Sequence, residues 1–143
     1  MQLRGSWRWN MNIEEIEGIG AEQGRKLSAA GISTIDSLIE KGARRPSREK
    51  LAETTGISEK LILEWVNRAD LMRIDGIGSE YSDLLEAAGV DSCLELSHRV
   101  PANLARKLHE VNEARRMVRR VPSEHEVTQW IEAAKAMPKV VEH

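Results

Sequence analysis

The sequence predicts an all-α protein made of two repeats of roughly five short helices each. Apolar residues recur at the spacing of helix faces, and Gly, Pro, Ser and Asn residues mark the helix ends. No stretch alternates apolar and polar residues with the β-branched enrichment that is typical of a strand. In addition, the sequence aligns with itself when it is shifted by 58 positions.

This self-alignment defines the repeats. It places the first corner, Gly18-Ile19-Gly20, on the second corner, Gly76-Ile77-Gly78, and Leu27 on Leu85. Later in the chain the shift becomes 65, so that Trp65 meets Trp130, and a seven-residue insertion lies within residues 97–122. We therefore expect an N-terminal extension, two repeat units packed in tandem and a C-terminal tail, at residues 1–11, 12–71, 72–138 and 139–143.

Capping residues and helix breakers set the predicted boundaries in the first repeat. Glycines end the first four helices. The fifth helix carries Trp65 on an apolar face, and we predict that Trp65 and its equivalent Trp130 are core residues. In chain order, the five helices are predicted to be capped by or to begin at Asn12, Ala21, Ser33, Ser47 and Ser58.

The second repeat follows the same plan, with a longer fourth segment. We predict one helix over residues 101–120, PANLARKLHEVNEARRMVRR. Pro122-Ser123 separates this helix from a last helix that ends before Pro138.

Composition argues against several classes of protein. The formal net charge of -2 removes the strongest electrostatic argument for nucleic acid without excluding it. The single cysteine, Cys93, excludes an intrachain disulfide and indicates a cytoplasmic protein. No apolar run approaches the roughly 20 residues that span a membrane, and the N-terminus lacks the apolar region of a signal peptide. We therefore expect no membrane partner.

No catalytic or metal-binding pattern is present. The sequence has no nucleophile elbow, no Walker loop and no paired acid and base, so we expect that the protein is not an enzyme. A metal site needs clustered ligands, and the histidines are scattered. These histidines are His98, His109, His125 and His143.

Each Gly-Ile-Gly corner predicts a sharp turn between two helices. The glycines can adopt a positive φ or allow close approach of another backbone, and the isoleucine between them points into the core. The helix that follows begins with N–H groups that lack a partner and with the positive end of the helix dipole. Such a helix start can bind an anion, for example a phosphate oxygen.

The stretches IEEIEGIGAEQGRKL and LMRIDGIGSEYSDLL resemble the helix-hairpin-helix motif. Both have its apolar-x-x-apolar-x-Gly-apolar-Gly pattern, with Gly24 and Ser82 at its small position and Leu27 and Leu85 at its next apolar position. The resemblance implies SAM-domain-like helical units whose hairpin amides bind the DNA backbone without reading sequence. It implies no cofactor other than the monovalent cation that some members hold on the hairpin carbonyls.

More of the chain is similar to a narrower bacterial family, domain of unknown function 4332. The similarity lies in TGISEKLILEWVNRADLMRI, GSEYSDLLEAAGV and VRRVPS, and it covers roughly residues 12–138. That family is described by its likeness to helix-hairpin-helix DNA-binding proteins. The resemblance is therefore specific for the fold and says little about function.

The residues that follow the two corners differ in charge. Both helices carry a glutamate in the first turn, Glu22 and Glu80, which would repel a phosphate. After the first corner, Arg25 and Lys26 partly offset this repulsion, whereas the second corner is followed by Asp83 and no nearby base. We predict that the first corner binds phosphate and that the second is structural. The alternative is that both corners only turn the chain.

The arginine segment, residues 115–120 (RRMVRR), is the second candidate site. On a helix, Arg115 and Arg119 share a face, and Arg116 and Arg120 lie one step around it. Guanidinium groups in this arrangement can hold phosphates bidentately. The alternative is a solvated basic face, paired with Glu110, Glu113 or Glu124.

Two further basic stretches carry weaker signals. The stretch GARRPSREK, with Arg44, Arg45 and Arg48, is interpreted as surface. The stretch SWRWN, with Trp7 and Trp9, has no counterpart in the second repeat. Its two indoles could stack on bases, dock on another chain or fold back on this one.

We expect a non-enzymatic module that binds the backbone of DNA or RNA without sequence specificity. The predicted binding residues are Gly18, Ile19, Gly20, Arg25, Lys26, Arg115, Arg116, Arg119 and Arg120. The alternative is a scaffold that binds a protein partner or a second copy of itself, and that does not bind nucleic acid.

Overall fold

The computed structural model describes residues 11–143, and the interpretation of Trp7 and Trp9 lies outside this range. Within it the chain forms eight α-helices, one short 3-10 helix and no strand, which confirms the all-α prediction. None of these helices is long and apolar enough to cross a membrane. In chain order the elements are the 3-10 helix Ile13–Glu15, α1 Ala21–Ala29, α2 Ile35–Gly42, α3 Arg45–Thr55, α4 Glu59–Leu71, α5 Ser79–Ala87, α6 Cys93–Ser97, α7 Pro101–Arg115 and α8 Glu124–Ala136.

Two of the predicted caps are present, those at Asn12 and Ser58, and Ser123 caps the last helix in addition. Asn12 accepts a hydrogen bond from the N–H of Glu14 at 2.7 Å, and so caps the 3-10 helix. Ser58 accepts from Leu61 N at 3.1 Å and caps α4, and Ser123 accepts from Glu126 N at 3.1 Å and caps α8. At these positions a short polar side chain directly before an apolar helix face supplies the capping hydrogen bond.

Two predicted helix starts are wrong. Thr34, and not Ser33, caps α2, because its hydroxyl accepts from Ser37 N at 3.1 Å while the Ser37 hydroxyl accepts from Thr34 N at 3.0 Å. Helix α3 begins at Arg45, ahead of the predicted Ser47. Proline in the first turn lacks only an N–H that would have no partner there, so Pro46 suits this earlier start.

The predicted helix over residues 101–120 is also too long. Helix α7 ends at Arg115, and Arg116 adopts a left-handed conformation with φ 52°. The side chain of Asn112 accepts from Val118 N at 2.9 Å and donates to Val118 O at 3.0 Å, which folds the following residues back along the helix end. Arg115 and Arg119 therefore do not share a helix face.

The core consists of two clusters of buried apolar side chains. One extends from Ile13 to Met72 and the other from Leu71 to Ala134. Trp65 and Trp130 are 2% and 4% exposed, in the first and second cluster respectively, which confirms their prediction as core residues. Helix α4 connects the clusters, because its last residue, Leu71, lies in the second.

An arginine on α4 links the first corner to the helix after the second corner. The Arg68 guanidinium donates to Glu17 O at 2.9 Å and contacts the carboxylates of Asp83, at 3.0 Å, and Glu86. Its side chain is 14% exposed, so these contacts are only weakly screened by solvent. Asp83 is therefore already paired.

The C-terminal residues return to the first cluster. Val141 is buried there, and Glu142 N donates to Ala43 O at 2.7 Å. The Arg48 guanidinium donates to carbonyl oxygens on both sides of this contact, those of Gly42, at 2.8 Å, and Glu142. The prediction of Arg48 as a surface residue is wrong: it is buried, and burial lowers the pKa of its guanidinium.

Candidate functional site

Both corners have the same backbone conformation, and the fold requires the first glycine of each. Gly18 has φ 96° and Gly76 has φ 95°, a left-handed region that side chains rarely adopt. A Cβ atom at Gly76 would lie 2.9 Å from Nε1 of Trp130, closer than real Cβ contacts. A Cβ atom at Gly18 would lie 3.5 Å from Nε1 of Trp65, which is an ordinary contact distance.

The second glycine of each corner is not required by the fold. Gly20 and Gly78 have φ -89° and -100°, which any residue can adopt. A Cβ atom at either position would meet nothing within 4 Å. Each therefore leaves an open space in front of a helix start where an external group can approach the backbone.

The helix starts after the two corners offer free N–H donors. No side-chain hydrogen bond within residues 11–143 caps α1 or α5. The hydrogen bond that closes the first turn of α5 runs from Ser82 N to Gly78 O at 2.9 Å, so the N–H groups of Ser79, Glu80 and Tyr81 have no partner within the helix. These donors and the helix dipole make the N-terminal end of α5 attractive to an anion.

Carboxylates offset much of the positive charge near the first corner. A Cβ atom at Gly24 would lie 2.7 Å from Oε2 of Glu14, so this carboxylate covers the side of α1. Lys26 pairs with Glu22 at 4.0 Å. Arg25 is exposed, and within residues 11–143 it makes no ion pair. Of the two predicted basic residues, Arg25 is therefore the one without a carboxylate partner in the part of the chain that the structure describes.

The arginine segment lies beside the second corner. An open cavity of about 440 Å³ separates them, and the prediction that no base is near this corner is wrong. The basic residues are Arg119 and Arg120, about forty residues further along the chain. Inspection of the residues next to the corner in the sequence could not reveal them. The cavity is lined by Gly76, Gly78, Glu80, Tyr81, Val118, Arg119 and Arg120.

Two side chains that were not predicted as site residues, Asn112 and Tyr81, hold the arginine segment in place. Asn112 binds the backbone of Val118, as described above. The Tyr81 hydroxyl donates to Arg120 O at 2.7 Å, and the Tyr81 ring packs against Trp130 with centroids 5.3 Å apart. In the self-alignment Tyr81 corresponds to Gln23. The first corner therefore lacks the tyrosine that binds the arginine segment at the second.

Arg120 is paired with a carboxylate, and the partner is not one of the three predicted. Its Nη1 and Nη2 donate to Oε1 and Oε2 of Glu126 at 2.8 and 2.9 Å. This bidentate pair lowers the pKa of Glu126 to about 2 and raises the pKa of Arg120. Glu126 therefore carries its charge at any ordinary pH.

The other three arginines of the segment are available to a ligand. Arg115, Arg116 and Arg119 are exposed, and no ion pair or side-chain hydrogen bond within the described part of the chain involves them. Of the sequence-predicted basic residues, Arg119 and Arg120 line the cavity at the second corner, whereas Arg25 and Lys26 lie on α1.

The described residues contain no group of three or more His, Cys, Asp or Glu side chains that could hold a metal ion. The arrangement beside the second corner instead consists of hydrogen-bond donors and guanidinium groups, with Glu80 as the opposing carboxylate. Its chemistry is that of a site for an anion.

Comparison with known proteins gives a family without a stated function. No curated protein and no solved structure matches the chain significantly. A family model described as "Domain of unknown function (DUF4332)" matches residues 17–137, most of the chain and both corners. The chain therefore belongs to the DUF4332 family, as its sequence motifs predicted.

Proposed function

We propose that the protein is a non-enzymatic helix-hairpin-helix module that binds the phosphate backbone of nucleic acid without sequence specificity. We propose further that the second corner and the arginine segment form the contact surface. One observation carries this proposal. Helix α5 begins without a side-chain cap, and Arg119 lines the same cavity, which the missing side chain of Gly78 leaves open.

Each component has a distinct role in this proposal. The N–H groups of Ser79, Glu80 and Tyr81 donate to a phosphate oxygen, and the absence of a side chain at Gly78 lets that oxygen come close. Arg119 supplies a charge-assisted contact to the same phosphate. Arg115 and Arg116, at the end of α7, contact neighbouring phosphates. Such contacts position a nucleic acid but carry no sequence information.

The proposal moves the site from the first corner to the second. Both helix starts have free donors, but the first lies beside Glu14 and Glu22, and its Lys26 is paired. The second corner shares its cavity with Glu80 and with Arg119, which makes no ion pair within residues 11–143. Arg115 and Arg116, just before it in the chain, are exposed and make no ion pair in this range either. Because binding to phosphates depends on the number of uncompensated cations, the second corner is the stronger candidate.

The matched variants Gly78→Ala and Gly20→Ala test this proposal. The two glycines have the same backbone conformation, the same open space and the same place as the N-cap of a helix, so the two variants should change the free energy of unfolding equally. The net change should be small, because the lower entropy of the unfolded chain with alanine, about 0.4–1 kcal/mol, is offset by the poorer fit of alanine at an N-cap. The Gly78→Ala methyl blocks the approach of phosphate. Losing one hydrogen bond to a charged group costs about 1.5–3 kcal/mol. We expect roughly tenfold or greater weakening for Gly78→Ala and no change for Gly20→Ala.

Fluorescence polarisation with labelled duplex and single-stranded DNA at low salt measures both affinities. Weaker binding for Gly20→Ala alone would place the site at the first corner, and equal affinities for both variants and the wild type would contradict a role for either helix start. If the wild-type protein binds neither DNA at low salt, the proposal is wrong. The alternative of a scaffold that binds a protein partner or a second copy would then be favoured.

A further inference from the structure

We propose that Glu126 is a built-in competitor of phosphate, which occupies Arg120 and holds the affinity of the second corner below the level that its arginines would allow. This inference rests on the proposed function of the same site. It assigns a role in setting affinity to a carboxylate outside the phosphate-binding residues, on the first turn of α8.

Arg120 holds Glu126 in the geometry in which a guanidinium binds phosphate. Both Nη atoms of Arg120 donate to the two oxygens of Glu126, at 2.8 and 2.9 Å, in the bidentate arrangement that a guanidinium also makes with phosphate. Arg120 lines the same cavity as Gly78 and Arg119. Arg120 would be the fourth arginine of the segment to bind phosphate, but its guanidinium is bound to the carboxylate of Glu126.

Glu126 is held in position independently of Arg120. Its Oε1 accepts from Ser123 N at 2.9 Å, and its own N–H donates to the Ser123 hydroxyl at 3.1 Å. This reciprocal capping box fixes the carboxylate at the start of α8. With a pKa of about 2 the carboxylate is not protonated at ordinary pH, so mild acid does not release Arg120.

The Arg120 side chain can exchange partners without movement of the backbone. Its carbonyl oxygen is fixed by the Tyr81 hydroxyl at 2.7 Å. Its side chain, in contrast, is 65% exposed, and an ion pair at such a site is screened by solvent and contributes little to stability. A phosphate in the cavity therefore competes with Glu126 for the guanidinium.

The variant Glu126→Gln tests the inference while it keeps the helix cap, because glutamine also serves as the third residue of a capping box. We expect unchanged thermal unfolding and roughly tenfold tighter binding to duplex DNA at about 50 mM salt, the value for one additional phosphate contact. The slope of log affinity against log salt should become steeper by about 0.9. Glu124→Gln is the matched control, because Glu124 lies in the same turn of α8 and makes no ion pair within residues 11–143.

A double-variant comparison separates competition from a general charge effect. In an Arg120→Gln background, Glu126→Gln should give no further gain if Glu126 acts through Arg120. An equal gain in both backgrounds, or an equal gain for Glu124→Gln, would overturn the inference and leave only the effect of net charge. If the wild-type protein binds and Glu126→Gln does not change its affinity, the inference fails while the proposed function stands. If neither binds, both fail.

Discussion

Replacing Arg115, Arg116 and Arg119 together with glutamine should lower the affinity for duplex DNA by about two to three orders of magnitude at about 50 mM salt. Each phosphate contact releases counterions and contributes about 0.9 to the slope of log affinity against log salt. The slope should therefore become shallower by about 2 to 3 units if all three side chains contact phosphates. A polarisation titration over a series of salt concentrations measures both quantities.

A second triple variant provides the control for charge. Arg25→Gln, Lys26→Gln and Lys50→Gln remove the same number of positive charges from exposed positions on α1 and α3. On the proposed model this variant loses little affinity, because only the long-range field changes. Equal losses for the two triple variants would indicate binding through net charge alone, and a larger loss for the control would return the site to the first corner.

Gly76→Ala should cause the largest loss of stability among substitutions at the corners. The positive φ of 95° costs a side chain about 1–3 kcal/mol. The added methyl would also lie 2.9 Å from Nε1 of the buried Trp130, and overpacking costs typically about 1–3 kcal/mol more. We therefore expect the free energy of unfolding to fall by about 2–6 kcal/mol, measured by urea denaturation.

Substitutions at the other glycines of the corners should cost less stability than Gly76→Ala. Gly18→Ala meets Trp65 only at an ordinary distance of 3.5 Å, so it should lose only the backbone contribution of about 1–3 kcal/mol. Gly78→Ala should change the free energy of unfolding only slightly. A loss for Gly78→Ala as large as that for Gly76→Ala would contradict the separation of a structural first glycine from a functional second glycine.

Local sequence signals predicted the helices well where one residue decides the boundary. Asn12 and Ser58 cap helices as predicted, since a capping hydrogen bond depends on residues two or three positions away. Ser33 and Thr34 are adjacent and chemically equivalent caps, and only the fold shows that Thr34 has the capping geometry. The all-α class follows from many such signals together and is correct.

Contacts between distant residues account for the predictions that were wrong. Residues 101–120 have a continuous helical pattern, and the chain leaves the helix because Asn112 binds Val118. Arg48 appears in a polar stretch, but the returning C-terminal residues bury it. The arginine segment and the second corner are likewise far apart in the sequence and close in the fold. None of these contacts is expressed in the spacing of neighbouring residues.

An amide chemical-shift titration of isotope-labelled protein with a short DNA duplex tests the central claim most directly. The N–H groups that would bind phosphate are observed individually in this experiment. We expect the largest changes at Ser79, Glu80 and Tyr81, together with the side-chain signal of Arg119. Changes confined to Ala21, Glu22 and Gln23, or no changes at low salt, would contradict it.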